Sequence, residues 1–186
     1  KDIVMYTGAI GKVNGLSYMA FMAEQMIKLN PDVIFCIIGD GIEKDNINLL
    51  AEKLGIINKN FYMIPQMSKD KLVQLISIST ILTSFVINKE FLWNNSANKF
   101  FDGLAAGKPI MINYGGWQAD LLNEYKAGIL IPPDDPIAGV KILNNLLLDR
   151  KKLKLMGKAS SDLAKTVFNR DKLYKSFESI LLNVSK

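Results

Sequence analysis

A chain of 186 residues, 49% of them hydrophobic, is long enough for one domain with a sizeable core. Its 23 basic and 18 acidic residues leave a charge of +5, which suits nucleotide phosphates or an anionic surface and selects neither; no block of five like charges and no interleaving of arginine with aromatics points to nucleic acid. With no histidine, Ser-His-Asp chemistry and most zinc sites are excluded within this stretch, and the single cysteine, Cys36, excludes an internal disulfide.

Lys1 is not a start methionine, and strand-like residues begin at once with Ile3–Tyr6, so the sequence reads as cut from something longer. A helix at Leu16–Leu29 follows, then a strand at Val33–Ile38 that encloses Cys36 as a core residue, and a helix at Lys44–Leu54. Phe61–Ile64 leads into Lys69–Ile78, and Ile81–Phe85 leads through a long connection into a helix at Asn98–Ala106. Ile110–Asn113, Gln118–Tyr125 and Gly128–Ile131 come next, then helices over Ile137–Leu148, Arg150–Met156 and Ser160–Phe168. Apolar strand runs alternating with helices predict an α/β domain, a doubly wound Rossmann-like parallel sheet in the order 3-2-1-4-5-6, with a ligand at the carboxyl ends of the strands. The final segment repeats Leu173, Tyr174, Phe177, Ile180, Leu181 and Val184 at one-turn spacing, an apolar stripe expected to pack mostly on the domain's own sheet. No signal peptide and no apolar run of spanning length is visible, which makes a cytoplasmic location the default expectation.

The residues with most chemical content lie between Asn94 and Gly116, NNSANKFFDGLAAGKPIMINYGG. Asn94, Asn95 and Ser96 are of the type that caps a helix, Phe100, Phe101, Leu104 and Ala105 share one helical face, and Gly107 with Pro109 stops the helix. Because that helix opens on Asn98-Lys99, free N–H groups, a positive dipole end and an ammonium meet at one place, which is an anion site suited to phosphate. Asp102, one turn on, is placed to accept from a sugar diol beside that phosphate. Earlier, Thr7–Gly15 (TGAIGKVNG) supplies Gly8, Gly11 and Lys12 between the first strand and its helix, a turn type that serves structure as often as ligand. Gly39-Asp40-Gly41 reads as a structural turn with Asp40 as the cap of the next helix. In Val86–Asn95, Trp93 is expected to pack beneath its own loop, and Gly115-Gly116 offer bare N–H groups beside a helix start. Pro132–Asp135 is a turn whose Asp134 or Asp135 caps the helix that follows.

NKFFDGLAAGKPI resembles the signature of the group 1 (family 4) retaining glycosyltransferases, with Gly39–Gly41 in support, and the resemblance covers nearly the whole chain. It implies one half of a two-domain GT-B-type enzyme, with residues 1–170 as the nucleotide-sugar-binding domain and 171–186 as a C-terminal helix reaching toward an N-terminal acceptor domain. By the resemblance Asp102 holds the donor ribose, and Asn94, eight positions earlier, stands where the family has a sugar-contacting glutamate. An amide there brings no charge and weaker hydrogen bonds, and Glu90 is the nearest carboxylate that could stand in. Most members also carry an Arg and a Lys in the first loop; here Ala9 and Asn14 occupy those places, so Lys12 and Lys99 are expected to share the phosphate charge with Asn98. The third turn, with Gln66 and Met67, is where the family holds the nucleobase through backbone groups, and Gly115-Gly116 is where it approaches the donor sugar, though Trp117-Gln118 replaces the usual Pro-Glu that follows.

The resemblance further implies a UDP-sugar or GDP-sugar donor, no other cofactor, no protein-bound metal, and a glycan or lipid-linked acceptor, with peripheral contact at the inner face of the membrane and no nucleic-acid partner. A sugar-nucleotide epimerase half and a non-catalytic nucleotide-binding module stand as alternatives. The second draws on the replacement of charged family residues by Ala9, Asn14 and Asn94.

Overall fold

The structure is a computed structural model that describes residues 1–184. Six strands, β1 (Asp2–Thr7), β2 (Val33–Ile38), β3 (Phe61–Ile64), β4 (Ile81–Ser84), β5 (Ile110–Ile112) and β6 (Gly128–Leu130), form one sheet in the order β3-β2-β1-β4-β5-β6. Every neighbouring pair is parallel, as the alternation of apolar strands with helices requires. The helices are α1 (Ser17–Leu29), α2 (Lys44–Lys53), α3 (Lys69–Ile78), α4 (Asn98–Ala105), α5 (Trp117–Tyr125), α6 (Pro136–Leu148), α7 (Arg150–Thr166) and α8 (Arg170–Val184).

Successive strand residues point to opposite faces, so the sheet separates two apolar layers. Val4, Tyr6, Phe35 and Ile37 meet Met19, Met22 and Met26 of α1 and Val140 and Leu143 of α6 on one side. Met5, Cys36, Leu82, Ile110 and Ile112 meet Phe100 and Leu104 of α4, Leu122 of α5 and Leu163 of α7 on the other. Burial pushes the Cys36 thiol up to about 11, which keeps it a protonated core residue. The strand order reverses on either side of β1, and that switch point opens a crevice at the carboxyl ends of β1 and β4.

Four expectations are corrected. First, α7 is one helix where two were expected: Gly157 sits inside it because the carbonyl oxygen of Gly107 approaches to 2.6 Å from where a Cβ would stand. Second, no side chain caps α4; Asn95 Oδ1 accepts instead from the N–H of Ala97, before the helix begins. Third, Asp40 does not cap α2, because its Oδ1 accepts from the N–H of Gly41 at 2.8 Å and its Oδ2 lies 3.4 Å from Lys44 Nζ. Fourth, no residue of α8 is buried, so the stripe expected on the sheet stays open: Leu173, Phe177 and Ile180 are each more than half exposed. The sheet faces are already covered by the other helices, and the start of α8 only borders a groove beside α4 and α5. The Asp135 cap is present, with Oδ1 accepting from the N–H of Ala138 at 2.9 Å. No helix among the described residues is long and apolar enough to cross a membrane.

At the far end of the sheet, Arg150 donates to both carboxylate oxygens of Asp2, at 2.5 and 2.7 Å, tying the start of α7 to the start of β1. The hydrogen bond and charge of Arg150 hold the Asp2 carboxyl below its ordinary value against the opposing effect of burial. A lowered folded-state value means that this contribution is present above the unfolded carboxylate range and is lost as pH falls through the folded one. Arg150→Met is therefore expected to cost about 1 kcal/mol or less at neutral pH, because the guanidinium is solvent-exposed. Urea melts of both forms at a series of pH values should converge in strongly acid solution.

Candidate functional site

Tyr6, the last residue but one of β1, is fully buried, and its hydroxyl donates to the carbonyl of Ala9 at 2.7 Å, which ties the turn that follows to the strand. On that ring lies the ammonium of Lys99, with Nζ 4.9 Å from the centroid. A Cβ on Gly8 would stand 3.3 Å from Lys99 Cε, and Gly8 has φ of +127°, so both conformation and space call for glycine. The first loop and the start of α4 therefore meet through Gly8 and Lys99, and they are joined across 91 residues of sequence.

Lys99 is half-buried, and desolvation lowers its pKa below the ordinary lysine value. No carboxylate among the described residues pairs with it. Beside it, α4 begins at Asn98 with Ala97 at the cap position and no capping side chain. A desolvated cation without a counter-charge, next to uncapped N–H groups, is an arrangement that an anion completes.

Asp102 faces a different neighbour. It is half-buried and lines a groove of about 780 Å³ with Ser96, Phe101, Trp117, Phe168 and Tyr174, between α4, α5 and the start of α8. Phe101 stacks on Trp117 at 6.1 Å and meets Phe168 edge-on at 5.1 Å, so this wall is aromatic. Asn98 and Asn94 are exposed at the mouth of the loop. Lys12 is exposed and opens a single 3-10 turn (Lys12–Asn14), where Gly11 N–H donates to Asn14 Oδ1; it borders a depression shared with Glu43 and Asn46 of the α2 side, whose lining does not include Lys99. Gln66 is exposed, and Met67 packs partly against the α3–α4 core layer.

Gly115 and Gly116 are pressed by Trp93, as the packing expectation for that tryptophan has it. A Cβ on Gly115 would lie 2.9 Å from two carbons of the indole ring. At Gly116 the nearest group is the carbonyl oxygen of Trp93, 2.9 Å from where a Cβ would stand, and φ is +82°, so both glycines are called for by the chain's own packing and backbone. Three residues with a part in the site were not singled out from sequence: Tyr6 under Lys99, and Asn113 and Gln118 behind the loop. Only the placement of Tyr6 near the end of a strand, two residues before Gly8, offered a signal.

Among the described residues no group of three or more His, Cys, Asp or Glu is placed to hold a metal ion. The model of the family described as glycosyl transferases group 1 matches residues 1–162. The chain belongs to that family. A curated relative, spore coat protein SA of Bacillus subtilis (strain 168), is 24% identical over 188 aligned positions, covering 97% of this chain. This chain spans 48% of that relative, about half its length. Among solved structures, it is similar to the C-terminal domain of a group 1 glycosyl transferase, LpcC, from Francisella tularensis, with a TM-score of 0.76, 16% identity, and coverage of 91% of this chain and 87% of that one. It is also similar to Anabaena Alr3699/HepE in complex with UDP and glucose, with a TM-score of 0.78 and 16% identity over 95% of this chain and 48% of that one.

These likenesses fit the GT-B fold expected of a group 1 glycosyltransferase half. Within that group 1 frame the signature segment NKFFDGLAAGKPI occupies α4 and its exit turn, and the crevice at β1 and β4 receives Lys99.

Proposed function

We propose that this chain is the donor-binding half of a retaining glycosyltransferase, holding a nucleoside-diphosphate sugar with its diphosphate at the amino end of α4. The observation that carries this reading is the half-buried, unpaired ammonium of Lys99 beside an uncapped helix start and against Gly8. In the reaction, the bond between the anomeric carbon and the diphosphate oxygen breaks, and negative charge grows on the leaving phosphate. N–H groups of Asn98 and Lys99, with the Lys99 ammonium, would stabilise that charge where water is already largely excluded. Asp102 would accept from the ribose hydroxyls, and Asn94 would meet the sugar.

A UDP-sugar of the hexose or N-acetylhexosamine type is the favoured donor, a GDP-sugar the second choice. HepE, similar in fold, is a structure with UDP and glucose, which supports the choice. The acceptor, a glycan or lipid-linked oligosaccharide of surface-polysaccharide assembly, would sit on an N-terminal domain that closes over the site. The whole enzyme would then work in the cytoplasm, in peripheral contact with the inner membrane face. The 186-residue chain alone is expected to bind donor without turnover.

Asp102→Ala provides the test inside this reading. Removing one charge-assisted hydrogen bond should cost about 1.5 kcal/mol for uridine and UDP alike, because the ribose is common to both. Isothermal titration with uridine, UDP and UDP-glucose checks this. If the variant weakens UDP and leaves uridine untouched, Asp102 does not grip the ribose; if no uridine, guanosine or adenosine ligand shifts the melting temperature of the wild-type chain, the donor site itself is refuted.

A further inference from the structure

The segment that carries Asn94 runs from Val86 to Ser96, and its outer side is open: Asn88, Lys89, Glu90, Phe91, Asn94 and Ser96 are all exposed. Near its start it is tied to neighbouring loops, with Ile87 N–H donating to the carbonyl of Val13 at 2.9 Å and Asn88 Nδ2 to Asp134 Oδ2, and further anchors come from one short stretch behind it, the turn from β5 into α5. At the start of the segment, the buried side chain of Asn113 accepts from the N–H of Val86 and donates to the carbonyl of the same residue, both at 3.0 Å. An amide side chain here does the work of a neighbouring strand's backbone and extends the β4–β5 pairing past the end of the sheet. In the middle, Trp93 rests on Gly115 and Gly116.

At the end, Gln118 is fully buried and donates from Nε2 to the carbonyl of Asn95 at 3.0 Å. Its Oε1 accepts from the hydroxyl of Tyr114, which also bonds Ser84 Oγ at 2.9 Å, at the tip of β4. Buried amides are costly to desolvate, and an apolar residue would fill the same space more cheaply. Their use, with both ends of each amide satisfied, specifies one shape of the loop in front of them.

We infer that Asn113 and Gln118 are positioning residues for donor recognition: from the β5–α5 turn they hold the 86–96 segment in the form that presents Asn94 to the donor sugar, and they touch no ligand themselves. This rests on the reading of Asn94 as the sugar-facing residue. The segment is thereby preformed before donor arrives, so the ordering cost of the sugar subsite is already met in the free protein.

The test compares Gln118→Met and Tyr114→Phe with the wild-type chain by titration with UDP and with UDP-glucose, alongside amide hydrogen exchange over residues 86–96. Gln118→Met should leave UDP affinity within about twofold, because α4 and Lys99 are untouched, while UDP-glucose loses about tenfold as the loop disorders. Exchange in the segment should quicken while the strands stay protected. Tyr114→Phe, which removes one oxygen and spares Nε2, should show the same split at smaller size, and it serves if the Met variant fails to fold. Equal weakening of UDP and UDP-glucose, or exchange in 86–96 unchanged from wild type, would overturn the positioning role. A wild-type chain that binds neither ligand would sink the donor reading, yet the exchange measurement would still decide whether the turn holds the loop.

Discussion

Lys99→Ala is expected to weaken UDP binding by roughly 1.5–3 kcal/mol, the range for a charge-assisted hydrogen bond, or about ten- to 150-fold in Kd. The loss should be at the upper end because the ammonium is desolvated over Tyr6 and has no carboxylate partner to compete for it. A uridine titration should change much less, since uridine brings no phosphate, and this contrast separates the charge from general damage. The sign of the pH effect follows from the direction of the shift. Lys99 has a pKa below the ordinary lysine value, and only its protonated form attracts phosphate. Affinity for UDP should therefore fall as the solution is made alkaline through that lowered value, and Lys99→Met should lack this part of the decline. The side chain also packs beside Gly8, so the stability of each variant is to be measured in parallel.

The second large effect is expected at Gly39. A Cβ there would stand 1.9 Å from the carbonyl oxygen of Gly8, a distance no backbone tolerates without moving. The two turns are laid on each other: Gly8 N–H donates to Ile38 O, Ile10 N–H to Asp40 O, and Glu43 N–H to Ile10 O, at 2.8–3.0 Å. Gly39→Ala must push the β1–α1 loop away from the β2–α2 turn or break these bonds. Overpacking of this kind costs about 1–3 kcal/mol and at times more, and here it falls on backbone that cannot change rotamer. Urea unfolding should show that loss. UDP binding should weaken as well, because Gly8 is the residue against which Lys99 lies. A Gly39→Ala chain with wild-type stability and wild-type UDP affinity would mean that this junction neither braces the fold nor shapes the site.

The strand order was readable because each strand is a short apolar run between helix-period segments, as in Val33–Ile38 before Lys44 and Ile110–Ile112 before Trp117. What failed was punctuation. Gly157 reads as a helix break, yet it sits within α7 because a helix with no side chain at that point lets Gly107 come close. Asn95 and Asp40 have the chemistry of caps, but nearer N–H groups, those of Ala97 and Gly41, take their oxygens first. The spacing of Leu173, Phe177 and Ile180 declares an apolar face and says nothing of what covers it; on α8 that face is open.

The site divides in the same way. Lys99 was legible because a cation at a helix start is a local pattern, and Gly8 because the loop needs a residue that tolerates positive φ. Asn113 and Gln118 were not, since an amide at a strand end has no local mark that it will bind Val86, 27 positions earlier, or Asn95, 23 positions earlier. Nor does Gly115-Gly116 carry a local mark of the group that needs its space, Trp93, which is remote in sequence.

Titration of the isotopically labelled chain with UDP, followed through its backbone amide resonances, bears most directly on whether a diphosphate sits at the amino end of α4. Saturable shifts should be largest at Gly8, Asn98 and Lys99, and they should vanish from Asn98 and Gly8 in Lys99→Ala at the same UDP concentration. Shifts centred elsewhere, for instance on the exposed lysines of α7, or no saturable shift at all, would contradict it.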